Sequence, residues 1–67
     1  MKPKTTIWQE TDNGKTLIKE LSGLPHGTPV MGQILSIPVY GEVICSGIAK
    51  SGTGASEVVT EIQLTVK

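Results

Sequence analysis

Apolar and polar positions alternate toward the carboxyl end of this chain. Between Val58 and Val66 the even positions are Val58, Thr60, Ile62, Leu64 and Val66, and from Glu61 onward the odd positions are Glu61, Gln63 and Thr65. Side chains on a β-strand point to opposite faces with a period of two, so the pattern predicts a strand with one buried face. Residues 39–49 read as another strand, apolar on both faces. Tyr40, Ile44 and Ile48 share one parity, and Val39, Val43, Cys45 and the small residues Gly41, Gly47 and Ala49 share the other. Small residues there would let another backbone or sheet come close. Residues 29–37 form a third apolar run. Pro38 interrupts its junction with the next, because proline gives up a ladder donor and favours an edge, bend or bulge.

Near the amino end, residues 4–10 read as a strand, followed by a turn over residues 11–15 in which Asn13-Gly14 accepts positive φ cheaply. Residues 16–22 are open to two readings. Leu17, Ile18 and Leu21 would share one side of a short helix capped by Gly23, or the preceding turn would return the chain as a strand. The strand is the reading adopted. Strands over residues 4–10, 15–21, 29–37, 39–49 and 56–66 make the chain all-β. They predict one domain over residues 1–67, a small five-stranded antiparallel sandwich or partly open barrel.

Charge changes this picture. Between Glu20 and Lys50 the only formally charged side chain is Glu42. A water-facing surface normally carries both signs, so the gap predicts that this segment is covered on both faces. A chain of 67 residues has little with which to cover it, and a core of this size supplies only about 3–5 kcal/mol. Small chains add disulfides, a metal or oligomerisation. The lone Cys45 forms no internal disulfide, and with the lone His26 it is too little for a soft-ligand zinc site. Self-association into a dimer or higher homo-oligomer is the expectation, with no metal and no cofactor.

Six lysines balance six acids and there is no arginine, so nothing draws the chain broadly to nucleic acid or an anionic membrane. Trp8 and Tyr40 are the only aromatics, too few for a base-stacking platform. No run approaches the roughly 18 apolar residues of a membrane span, and no apolar signal segment follows the basic start. A lone cysteine without an export signal suits a reducing compartment, which predicts a cytoplasmic protein or part of a particle assembled in the cytoplasm.

Two stretches resemble a known family. The run from Glu20 to Val30, with Gly23-Leu24-Pro25-His26-Gly27-Thr28 at its centre, is similar to the corner between strands E and F of fibronectin type III modules. The run from Gly52 to Val59 is similar to their F–G loop and the start of strand G. Together they cover about a third of the chain. Val30 stands where the family usually has tyrosine, about ten extra residues separate the two pieces, and the chain is shorter than a whole module. The resemblance implies a β-sandwich fragment used for contact rather than chemistry.

Candidate chemistry is sparse. His26 lies in a turn with no orienting acid or nucleophile supplied by a local motif, which favours an exposed loop histidine over a catalytic one. Cys45, in the most apolar strand, reads as a small buried hydrophobe. Lys50, Ser51, Gly52, Thr53 and Gly54 are the most suggestive run: backbone N–H groups of a glycine loop can cradle an anion, and the lysine and hydroxyls add donors. The run lacks the order of a Walker A loop, and a strand follows it rather than a helix. A plain hairpin loop is the competing reading. Trp8 is either core or an exposed anchor, and Glu42 either marks a wet strand edge or takes a partner's lysine.

The expected function is non-enzymatic binding or assembly, as a homo-oligomer or docked on a larger protein target through an apolar sheet face or strand edge. Trp8, Tyr40, Val43 and Cys45 are the candidate interface residues. The alternative is an oligomer that sequesters an anionic small molecule, such as a nucleotide signal, through Lys50–Gly54. Such a chain would also suit a virus that blocks a host pathway.

Overall fold

The computed structural model describes residues 2–67. The chain is all-β. Its five strands are β1 (Lys4–Thr11), β2 (Gly14–Ser22), β3 (Ile34–Ile37), β4 (Gly41–Ser51) and β5 (Val58–Val66), with a single 3-10 turn at Gly54–Ser56 before β5. They form one open sheet in the order β2-β1-β5-β4-β3. Residues 16–22 are strand, as the turn before them implies.

The alternating segment, β5, takes the central place. In the registers on its two sides, Leu64 lies between Ile7 and Cys45, Ile62 beside Thr5 and Ile48, and Val66 beside Val43. These neighbours share one face of the sheet. Ile7, Ile37, Val43, Cys45, Ile62 and Leu64 form its buried core, against which Leu21, Leu24, Leu35 and Tyr40 pack. Burying each large aliphatic side chain contributes about 1.5–3 kcal/mol.

Residues 23–33 supply the cover. They leave the end of β2 beside the start of β1, where Gly23 N–H donates to the Pro3 carbonyl (2.9 Å) and Thr5 Oγ1 donates to the Gly23 carbonyl (3.0 Å). Leu24 and the buried Pro29 pack inward along the way. The segment joins the ladder at Cys45, whose N–H donates to the Gln33 carbonyl (2.9 Å) and whose carbonyl accepts from Gly32 N–H (2.9 Å). Part of the uncharged stretch is therefore a second layer over the chain's own apolar face. Leu24 and Pro29 are its inward-facing residues, while residues 25–28 and 30–33 are exposed.

Three details differ from the sequence reading. β1 and β5 run parallel, while the other three pairings are antiparallel. Local hairpin signals specify antiparallel neighbours only, and this pairing joins strands far apart in sequence. Residues 29–33 are not strand: Gln33 N–H donates to the Val30 carbonyl (3.0 Å) and Gln33 Oε1 accepts from Val30 N–H (3.1 Å), closing a turn with Gly32 at φ +83°. The start of the predicted 39–49 strand is likewise a turn, with Tyr40 N–H donating to the Ile37 carbonyl at 3.2 Å.

Candidate docking edge and apolar groove

An open sheet leaves two edges, and here they differ in character. Along β2 every residue but Leu21 is exposed. Ile7 opposes Lys19 and Trp8 opposes Leu17, so Ile18 is an extra residue that bulges the strand. Lys15, Lys19 and Glu20 add charge, and Lys4 Nζ lies 3.3 Å from Glu20 Oε1. A bulge and inset lysines are the usual guards against pairing at an edge.

The β3 edge has no charge. Gly32 and Gln33 together oppose Cys45 in a bulge, Gly32 N–H donating to the Cys45 carbonyl and the Gln33 carbonyl accepting from Cys45 N–H, and the register continues through Ile34 beside Ile44 and Leu35 beside Val43. Bonded and non-bonded pairs alternate along an antiparallel ladder, so the N–H and C=O groups of Ile34 and Ser36 point away from β4. Both residues are exposed, Ile34 by 48%. Pro38 and Val39 occupy the corners of the following turn. Val39 has φ +81° and is 93% exposed. Positive φ at the second corner after a proline is type II geometry, which favours glycine. A β-branched residue there is a strained outlier.

The second feature is a groove of about 420 Å³ where the covering segment passes over β4 and β5. Its walls are aliphatic: Pro29, Val30, Met31, Ile48, Val59 and Ile62, with Thr28 and Lys50 completing the lining. Val30 and Met31 are 67% and 60% exposed.

The face away from the core is polar and tied together. Trp8 Nε1 donates to Thr6 Oγ1 (2.9 Å), Thr6 Oγ1 donates to Glu61 Oε2 (3.1 Å), and Gln63 Nε2 donates to the same oxygen (2.9 Å). Lys4 Nζ stands 3.8 Å from Glu61 Oε1. Nearby, the Ser46 and Thr65 hydroxyls are hydrogen-bonded at 2.8 Å. Thr6 and Thr65 are buried under these longer side chains.

The structure disperses the residues singled out in the sequence. Trp8 is half-buried on the polar face, outside the aliphatic core. Tyr40 is half-buried against the core at the turn before β4. Val43 and Cys45 are enclosed by the chain's own strands, which leaves neither side chain at the surface for a partner. Burial pushes the Cys45 thiol up from its ordinary value. His26 and Glu42 are exposed, the latter opposite Ser36.

Lys50, Ser51, Gly52, Thr53 and Gly54 form a tight hairpin end. Ser56 N–H (3.1 Å) and Ser56 Oγ (2.8 Å) both donate to the Thr53 carbonyl, and Glu57 N–H donates to the Gly54 carbonyl (3.2 Å). Gly52 has φ +95°, and a Cβ on it would lie 2.5 Å from the Ser56 carbonyl oxygen. Lys50 Nζ sits 3.4 Å from Glu57 Oε1, and its side chain lines the aliphatic groove. Among the described residues, no group of three or more His, Cys, Asp or Glu could hold a metal ion. Among the same residues, no helix is long and apolar enough to cross a membrane.

Sequence reasoning missed the groove and the polar network, because both depend on which strands become neighbours. It also missed the strain at Val39. Pro38 marked a bend there, but valine is the last residue expected at a positive φ. No family model, curated protein or solved structure matches this chain.

Proposed function

We propose that this is a non-enzymatic assembly protein whose β3 edge pairs with the same edge of a second copy. The observation that carries this reading is the contrast between the two free edges: β2 is bulged and charged, whereas β3 offers outward backbone groups on an uncharged strand. A two-fold axis through Leu35 would set Ile34 of each copy opposite Ser36 of the other. That register satisfies all the outward groups of both residues and opposes no charges. It would also shelter Ile34 and bring the strained Val39 near the contact. The chemistry-bearing residues support a non-catalytic role, since His26 stands in an exposed turn and Cys45 lies inside the core. The resemblance to fibronectin type III modules agrees with a role in contact. A cytoplasmic setting fits the single reduced thiol.

Sedimentation equilibrium over a wide concentration range tests the proposal. The expected result is a monomer–dimer equilibrium that Ser36→Pro and Ile34→Lys each shift toward monomer by at least about tenfold in Kd, with circular dichroism unchanged. Ile18→Lys on the opposite edge should leave it intact. A monomer at every concentration, or a dimer broken by Ile18→Lys alone, overturns the reading.

A further inference from the structure

We infer that the groove beneath residues 28–31 binds a small amphipathic carboxylate, an aliphatic chain ending in one negative charge. The inference is independent of pairing at the β3 edge, because the groove belongs to a single copy.

Size, lining and charge point the same way. The volume of about 420 Å³ lies within the roughly 300–1,000 Å³ of small-molecule sites. Val30, Met31, Ile48, Val59 and Ile62 present branched aliphatic groups and a thioether. No aromatic ring lines the groove, because Trp8 lies on the other face and Tyr40 at the far turn. The walls therefore suit an alkyl chain by area and offer no surface on which a nucleobase would stack. Met31 adds an adaptable wall, since methionine reshapes around irregular apolar partners.

Lys50 sets the sign of the head group. It is the only charged residue in the lining, and Thr28 supplies the one hydroxyl. Lys50 already meets Glu57, but both side chains are about half exposed. Such surface pairs contribute little and exchange readily. Glu57 thus holds the place of an incoming carboxylate, and its removal should favour the ligand. This moves the anion-binding role of Lys50 from the glycine loop, whose turn is closed by its own hydrogen bonds, to the groove beside it.

Titration of the isotope-labelled chain with decanoate below its micellar concentration tests the inference. Saturable amide shifts are expected at Val30, Met31, Ile48 and Val59. Lys50→Gln should weaken binding about tenfold, Met31→Asp should abolish it, and Glu57→Gln should tighten it about twofold. The decyltrimethylammonium cation should not compete. Val30 and Met31 are exposed, so Met31→Asp should leave the fold intact, as circular dichroism would verify. Absence of saturable shifts, equal affinity for the cation, or unchanged affinity in Lys50→Gln overturns it.

Discussion

Single positions show where the chain departs from what its sequence prefers. Val39 is the clearest. An L-residue in the left-handed region sets its Cβ against a backbone oxygen, at a cost of about 1–2 kcal/mol. Glycine would relieve that clash and lose part of the gain to unfolded-state entropy. Val39→Gly is therefore expected to stabilise the protein by about 0.5–1 kcal/mol, a rise of a few degrees in Tm. Thermal melts would check this, and a lower Tm would show that the valine side chain holds the turn together. If the strain is retained for contact at β3, the same variant should self-associate more weakly while being more stable. Gly47 is a milder example. Its missing side chain was expected to admit another backbone, but the space is taken by Gln63, whose Oε1 would lie 2.5 Å from a Cβ placed there.

At the level of strands, β1 and β5 are joined on both faces by different physics. The core face relies on aliphatic burial, with Ile7 beside Leu64. The outer face relies on the relay from Trp8 through Thr6 to Glu61, with Gln63 on the same carboxylate oxygen. Removing one member leaves a shielded polar group without its partner, so deletions in this relay should not add. A double-mutant cycle of Thr6→Val and Glu61→Gln is expected to give a coupling of about 1 kcal/mol in urea unfolding. A coupling near zero would reduce the relay to a surface decoration. Trp8 fluorescence provides an internal probe, since Thr6→Val also removes the acceptor of its ring N–H. β2 has no comparable tie to the core and relies on its ladder to β1 and on Leu21.

Across the whole molecule, stability should depend on pH through the core. Cys45 is a protonated thiol among aliphatic neighbours, and burial raises its titration above the ordinary value of 9.0. The unfolded chain therefore loses this proton at lower pH than the folded one. The stabilisation is complete below about pH 9 and falls away as pH rises through the folded-state value. Wild type is expected to lose urea stability between pH 8 and about pH 10.5 more steeply than Cys45→Ala, which starts lower because of its cavity. Parallel slopes would show that the Cys45 thiol contributes nothing to the decline.

Most of the strand content was legible, because period-two alternation, Asn13-Gly14 and the Gly52–Gly54 loop are local signals. Cys45 read correctly as core for the same reason. Strand order, the covering role of residues 23–33 and the placing of Lys50 against a groove were not legible, since each depends on contacts between distant parts of the chain. The charge gap predicts a segment covered on both faces, but within one chain Leu24 and Pro29 turn to the sheet while Val30, Met31, Ile34 and Val39 are exposed.

The side-by-side placement of β1 and β5 bears on how the molecule comes into being. β1 must wait for β5, translated about fifty residues later, before the middle of the sheet can close, so little of this sheet should be able to form while β5 is still inside the ribosomal tunnel. During that interval the greasy central stretch would be left to chaperones.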